Sequence, residues 1–165
     1  MKRPTFDENW PVSWKTSYSY DLEEVFGQIT NCGYAYAYQK RRRVTLDLVT
    51  EVLSPGARIL DVAAAQGNFS LALAELGYEV TWNDLREELA DYVRLKYEFG
   101  SIQFAPSDAF ALDPAEQKFD AALITEVIEH TAHPDQFLAR IPTPVRPGGY
   151  FLITTPKGAN FRNHL

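Results

Sequence analysis

The stretch of the chain that most constrains the fold is residues 58–84. A short apolar strand ends on Asp61, a turn of small residues follows at 63–67, and an apolar helix runs from there to Gly77. A second apolar strand then leads to Asp84. This strand–turn–helix–strand unit is typical of α/β proteins that bind a nucleotide-type ligand beside the turn, where alanine and glycine let a ligand approach the backbone closely.

Three further strands are predicted downstream, at about 101–104, 119–125 and 149–154. The segment 119–125 is a continuous apolar run, which is typical of a central parallel strand covered on both faces. Helices are predicted at 40–53, 85–99 and 134–141. Right-handed crossovers between five strands would give a doubly wound, mostly parallel sheet. We interpret residues 1–54 as an N-terminal aromatic and helical cap and residues 55–165 as the α/β core.

The cap is rich in aromatic residues but weakly periodic at its start. Residues 1–20 are predicted to be irregular, and Asp21 is predicted to be the N-cap of a short helix. A long helix is predicted from about Tyr34, continuing through an amphipathic stretch at 40–53. We interpret its basic run, Lys40–Arg43, as a solvent-exposed face rather than a phosphate site. The aromatic residues either pack the cap onto the sheet or enclose an apolar substrate.

Composition and charge exclude several classes of protein. The net charge of -6 predicts no general attraction to nucleic acid or to an anionic membrane. A single cysteine, Cys32, cannot form an internal disulfide and is typical of a reducing compartment. The chain begins without the apolar run of a signal peptide, and no stretch approaches the ~20 apolar residues that span a bilayer. A cytoplasmic protein is therefore predicted.

Four segments of the core form an ordered set of motifs. Asp61 is followed by the run AAAQG at 63–67, and three later segments read SDAF, FDAALITEVIEH and RPGGYFLITTP, from Ser107, Phe119 and Arg146 respectively. The set resembles the class I S-adenosylmethionine-dependent methyltransferases, whose first motif is an Asp followed by G-x-G-x-G. The resemblance runs from about residue 58 to 156. It implies a doubly wound, Rossmann-like methyltransferase core.

The resemblance implies S-adenosyl-L-methionine as the cofactor and assigns parts of it to particular residues. The residues implied at its methionine end are Asp61, Ala63, Ala65, Gly67, Thr125 and Glu126. Asp84, about 20 residues after the turn at the end of a strand, is implied to bind the ribose hydroxyls. Asp108 is implied to bind the adenine amino group. Ala63 and Ala65 stand in two of the three glycine places, and the β-carbon of Ala65 is expected to narrow the approach to the turn.

The implied reaction is direct displacement at a sulfonium methyl group, in which the positioning of donor and acceptor supplies much of the rate. A hydroxyl acceptor also benefits from a general base, and His130 is the candidate. The alternative for His130 is a local hydrogen bond that orders the loop. Glu126, Glu129 and His130 also resemble the metal ligands of Hen1-type small-RNA 2′-O-methyltransferases. No metal is predicted, because the further histidine of that set has no clear counterpart.

We therefore predict methyl transfer to an oxygen or nitrogen atom of a small-molecule acceptor. Two alternatives stay open: a catalytically silent binding module with the same fold, and a metal-dependent RNA 2′-O-methyltransferase. The family sheet has two more strands after the fifth, and residues 157–165 leave little room for them. An exposed fifth strand would be an apolar sheet edge, which predicts a homodimer or low stability of the isolated chain.

Overall fold

The computed structural model describes residues 1–28, 31–112, 119–140 and 145–156. Its strands are β1 (Arg58–Val62), β2 (Glu79–Asn83), β3 (Ser101–Phe104), β4 (Phe119–Thr125) and β5 (Val145–Thr154). Its helices are α1 (Val12–Glu24), α2 (Cys32–Val52), α3 (Asn68–Glu75), α4 (Glu88–Lys96) and α5 (Pro134–Arg140). Two 3₁₀ segments, Ala109–Ala111 and Ile128–His130, precede and follow β4.

The five strands form one parallel sheet in the order β3-β2-β1-β4-β5. The direction in which the chain crosses the sheet therefore reverses between β1 and β4. Val62, the last residue of β1, lies opposite Asn83 of β2 and Ile124 of β4. The carboxyl ends of these strands consequently meet at one edge, where a doubly wound sheet forms its ligand crevice. The predicted doubly wound parallel sheet is confirmed.

The sheet is covered on both faces, as the apolar run of β4 predicts. Successive residues of a strand point to opposite sides. Ile59 packs in one cluster with Val49 of α2 and Leu73 of α3. Its neighbour Leu60 packs in another, against Phe137 of α5. Helices on both faces thus hold β1 at the centre of the core, which fixes the position of the turn that follows it.

The start of the chain is more regular than its sequence predicts. α1 already covers residues 12–20, and Asp21 lies inside this helix, fully buried. The prediction of a helix starting at Asp21 is therefore wrong. The prediction of an irregular arm is wrong for residues 12–20, whereas residues 1–11 are irregular as predicted. The ring centroids of Trp10 and Trp14 lie 5.9 and 6.0 Å from that of Tyr92 in α4. Contacts with the core, rather than a local apolar stripe, stabilise this helix.

The long helix predicted from about Tyr34 is confirmed as α2. It begins at Cys32, because Asn31 serves as its N-cap and accepts a hydrogen bond from the backbone N–H of Tyr34 at 3.2 Å. α4 begins at Glu88, three residues later than predicted, and leaves Leu85 exposed. In the part of the chain that the structure describes, no helix combines the length and apolar character needed to cross a membrane.

Candidate functional site

A cavity of about 450 Å³ opens at the carboxyl edge of the sheet. Small-molecule sites typically measure roughly 300–1,000 Å³. Of the predicted site residues, those that line the cavity are Ala63, Ala65, Thr125, Glu126 and His130. The structure adds residues that were not among the predicted site residues, including Glu24, Arg41, Asn68 and Arg86. The predicted residues Asp61, Gly67, Asp84 and Asp108 are not part of its wall.

The turn after β1 has an unusual backbone. Ala63, Ala65 and Gly67 have φ angles of 54°, 48° and 71°, all in the left-handed region. A β-carbon added at Gly67 would lie 2.8 Å from both methyl carbons of Val93, so glycine is required there by space as well as by conformation. An L-residue in this region costs roughly 1–2 kcal/mol because its β-carbon crowds the following carbonyl. The two alanines therefore hold a strained conformation in which glycine would be relaxed.

Asp61 lies beneath this turn, at the end of β1, and its side chain is fully buried. The hydroxyl of Ser70 donates to its Oδ2 at 2.5 Å. Its Oδ1 is buried and has no hydrogen-bond partner among the described residues. Burial raises the pKa of Asp61 to about 7, and the hydrogen bond from Ser70 opposes this rise. A buried carboxylate with one free acceptor atom is a candidate for contact with a polar ligand group.

Asp84 follows β2 and is already saturated with donors. Its Oδ1 accepts from the backbone N–H and Nε of Arg86, at 2.9 and 3.0 Å. Its Oδ2 accepts from Arg86 Nη2 at 3.1 Å and from the backbone N–H of Ala65 at 2.9 Å. A carboxylate offers about four lone-pair positions. A ligand hydroxyl can reach Asp84 only by displacing Arg86, whose side chain is 55% exposed and lines the cavity.

Thr125, the last residue of β4, and Glu126, which follows it, also line the cavity. Glu126 has a φ of 55°, and its backbone N–H donates to the carbonyl of Thr154 at 3.0 Å. The Thr154 hydroxyl donates to Glu126 Oε1 at 3.2 Å. This pairing continues the β4–β5 ladder for one residue and turns the Glu126 side chain toward the cavity. His130 follows at the end of the 3₁₀ segment, exposed and on the cavity wall.

The basic run in α2 is not wholly a solvent-exposed face. Lys40 and Arg43 are exposed, but Arg41 is half-buried and donates to Glu126 Oε2 at 3.0 Å. Its guanidinium also lies 5.1 Å from the ring centroid of Tyr38. The solvent-exposed interpretation is therefore wrong for Arg41. The helical spacing from the buried Tyr38 to Arg41 was the available signal, because residues three apart share a helix face.

The other predicted polar groups do not join the cavity. Asp108 is exposed, accepts from the backbone N–H of Phe110 at 3.0 Å, and lies 3.5 Å from Arg140. It therefore caps the 3₁₀ segment that precedes β4. Among the residues that the structure describes, no three potential metal-ligating side chains come together. Glu126, Glu129 and His130, the set to which the Hen1-type resemblance points, are not grouped as metal ligands in the described structure.

The reversal of strand order, the left-handed turn after β1 and the acidic residue after β2 define a Rossmann-like α/β protein with a nucleotide-type site. The sequence profile of a family described as "Methyltransferase domain" matches residues 60–153. This match covers more than half of the chain, and the chain belongs to that family, the class I S-adenosylmethionine-dependent methyltransferases.

Individual relatives agree with this assignment. The ubiquinone biosynthesis O-methyltransferase of Xanthomonas campestris pv. campestris (strain B100) is 36% identical over 118 residues, which are 68% of this chain and 48% of the relative. The chain thus spans about half the length of the curated relatives it matches.

Two solved structures show the same fold. Magnesium protoporphyrin IX methyltransferase (ChlM) from Synechocystis PCC 6803, with bound S-adenosylhomocysteine (SAH), has a TM-score of 0.65 and 18% identity, covering 79% of this chain and 63% of that one. The N-methyltransferase NodS from Bradyrhizobium japonicum WM9, also in complex with SAH, has a TM-score of 0.61 and 18% identity, covering 86% and 72%.

Proposed function

We propose that this chain forms the S-adenosyl-L-methionine-binding core of a cytoplasmic enzyme that methylates an oxygen or nitrogen atom of a small-molecule acceptor. The observation that carries the proposal is the cavity at the reversal of strand order, where the turn after β1 and the segment after β4 converge. The O-methyltransferase relative supports oxygen as the acceptor atom, and NodS supports nitrogen. We also propose a division into a cap, residues 1–54, and a core, residues 55–165.

The residues of the chain fit the cofactor in two respects. Small side chains at the turn leave its backbone open to the cavity, and the free Oδ1 of Asp61 supplies an acceptor below it. In our proposal the methionine end is held by Asp61, Ala63, Ala65, Gly67, Thr125 and Glu126. Asp84 binds the ribose hydroxyls and Asp108 the adenine amino group. When bound, the cofactor supplies a methyl group that its sulfonium already activates.

The chain's own contribution to the chemistry is positioning and proton removal. The cavity walls hold the acceptor in line with the methyl group, which supplies much of the rate in a displacement reaction. His130 lies exposed at the rim of this cavity. Imidazole is an effective general base near neutral pH, and in our proposal His130 removes the proton of the acceptor.

Calorimetry with SAH tests the cofactor site. We expect Asp84→Ala to weaken SAH binding roughly tenfold or more, because two hydroxyls lose a charged acceptor. Asp91→Ala is the matched control, since Asp91 is an exposed carboxylate paired with Arg94 away from the cavity. Unchanged affinity in Asp84→Ala would refute the ribose assignment, and absence of SAH binding by the wild-type chain would refute the proposed function.

Methyl transfer itself is tested with labelled S-adenosylmethionine and a cell extract, by mass analysis of the labelled product. We expect His130→Ala to lower the transfer rate about 100-fold, within the range of general-base effects, without changing the melting temperature. His133→Ala, three residues further on and also exposed, serves as the control. SAH binding without transfer to any acceptor would favour a catalytically silent module. We retain the silent module as a second candidate because Ala63 and Ala65 hold the turn in a strained conformation.

The same proposal includes a homodimer formed through β5. In the described sheet β5 is an edge strand, and Tyr150, Phe151 and Ile153 are each 40–45% exposed on it. An apolar sheet edge pairs readily with another strand. Sedimentation of the chain should therefore give a dimer, and a stable monomer at micromolar concentration would count against this pairing.

A further inference from the structure

A fully buried ion pair lies behind the cavity. Lys96 Nζ of α4 is 2.6 Å from Asp21 Oδ2 of α1, and neither side chain is exposed. The same ammonium donates to Asn68 Oδ1 at 2.7 Å, and the hydroxyl of Tyr92 donates to Asp21 Oδ2 at 2.7 Å. A buried pair that retains all its partners joins α1, α3 and α4, and removing one partner alone would leave an uncompensated charge.

This ion pair connects directly to the cavity wall. Asn68 Nδ2 donates to Asp21 Oδ1 at 2.7 Å and to Glu24 Oε2 at 3.1 Å. Gln66 Nε2 donates to Glu24 Oε2 at 3.0 Å. Glu24, Gln66 and Asn68 all line the cavity, whereas Lys96 and Asp21 do not. Asp21 and Lys96, which lie outside the cavity, therefore bind Asn68 of its wall directly and reach Glu24 and Gln66 through further hydrogen bonds.

The three wall residues come from separate parts of the chain. Glu24 ends α1, Gln66 belongs to the turn after β1, and Asn68 begins α3. Gln66 and Asn68 flank Gly67, so the network fixes the side chains on both sides of the last residue of the turn. The Tyr34 hydroxyl also donates to Glu24 Oε1, which brings α2 into the same network.

A purely structural anchor does not require charge at this position. A buried ion pair can often be replaced by uncharged residues of similar volume without loss of stability. What distinguishes this pair is that the Lys96 ammonium and the Asp21 carboxylate both bind Asn68, which in turn orients Glu24. If both charges are removed, we expect the helices to stay packed, whereas the side chains of Glu24, Gln66 and Asn68 are no longer held in a single conformation.

We propose that Lys96 and Asp21 are positioning residues for the turn that holds the cofactor, and that α1 is part of the cofactor site rather than only a cover for the core. This inference rests on the proposed function. The pair acts through Asn68 and Glu24, which it holds against the turn. Cofactor binding and the docking of α1 are then linked, because the same network contributes to both.

The test compares SAH affinity with stability in an uncharged double variant, Asp21→Asn with Lys96→Met. This variant removes both charges of the pair together, so neither Asp21 nor Lys96 is left as a charge without its partner, and we expect it to fold with a melting temperature close to that of the wild type. Its SAH affinity is expected to fall about fivefold or more, as for a typical coupling between sites. Leu152→Ala is the control that lowers the melting temperature without changing SAH affinity, because Leu152 is a buried core residue that does not line the cavity.

Wild-type SAH affinity in the double variant would overturn the inference while leaving the proposed function intact. Absence of SAH binding by the wild-type chain would overturn the proposed function and this inference with it. If the double variant does not fold, Tyr92→Phe tests the positioning role instead. This substitution removes one hydrogen-bond donor to Asp21 without changing any charge. A two- to threefold weaker SAH complex at an unchanged melting temperature supports the positioning role, and an unchanged complex overturns it.

Discussion

Replacing Ala65 by glycine should stabilise the protein, although glycine in place of alanine usually destabilises a folded chain. The φ of 48° at Ala65 is held in place because its N–H donates to Asp84 and its carbonyl accepts from Trp82 Nε1 at 3.0 Å. Glycine at this position would relieve roughly 1–2 kcal/mol of left-handed strain. The greater freedom of glycine in the unfolded chain offsets about 0.4–1 kcal/mol of this gain. We therefore expect the free energy of unfolding to rise by about 0.5–1 kcal/mol.

The matched control is the same substitution in an ordinary helix. Ala37 lies exposed within α2, where alanine is favoured, so Ala37→Gly should lower the free energy of unfolding by about 1 kcal/mol. The reciprocal change, Gly67→Ala, should lower it by roughly 2 kcal/mol or more, because it adds both left-handed strain and a collision with Val93.

Urea unfolding followed by tryptophan fluorescence measures all three variants. Trp82 is a suitable reporter because its indole N–H binds the backbone of the turn. The expected order of stability is Ala65→Gly above wild type and both other variants below it. A loss of stability in Ala65→Gly as large as that in Ala37→Gly would refute the reasoning, since it would mean that the left-handed backbone at Ala65 carries no strain.

Three further predictions concern other parts of the site and the core. Asp61 has a folded-state pKa raised to about 7, so the stability of the wild type should fall as pH rises from about 4 to about 7. Asp61→Asn should make this fall clearly smaller in urea unfolding at several pH values, and the raised pKa of the buried Glu24 contributes to the fall that remains. Arg86→Gln should strengthen SAH binding roughly two- to fivefold at low salt, because it frees Asp84, and the difference from wild type should shrink as salt is added during calorimetry. Gly100→Ala should cost about 3 kcal/mol of unfolding free energy in thermal or urea melts, since its β-carbon would lie 2.4 Å from a backbone carbonyl. Gly56→Ala, with a similar φ and open space, should cost only about 1 kcal/mol.

The sheet could be predicted from the sequence because its signals are local. The apolar run of β4 and the turn residues between β1 and α3 each lie within a few positions of one another, and all five strands occur close to their predicted positions. The local signal for α1 is weaker, because Trp10, Trp14 and Tyr18 are held largely by contacts with distant residues such as Tyr92 and Glu88. Their four-residue spacing indicated a helix face, but the intervening polar residues concealed it.

The site divides in the same way. The positions of Ala63, Ala65, Thr125, Glu126 and His130 on the cavity wall could be expected, because these residues belong to the family motifs and lie at or within five residues of the ends of β1 and β4. Arg41 and Glu24 reach the cavity from helices far away in sequence, and only the packing of the cap brings them there. The pairing of Lys96 with Asp21 spans 75 positions, and neither residue type indicates a buried partner.

The paired state of the acidic residues changes what cofactor binding must involve. Asp84 and Glu126, both assigned to the cofactor in our proposal, are each ion-paired with an arginine that lines the same cavity. A ligand that reaches either carboxylate exchanges one hydrogen-bonded partner for another instead of filling a vacant acceptor. The gain in free energy is then the difference between two pairings, which is smaller than either pairing alone. Because both arginine side chains are partly exposed, salt weakens the pairings that must be released. Under the proposed assignment, Arg41 and Arg86 therefore influence the affinity for the cofactor as much as Asp84 and Glu126 do.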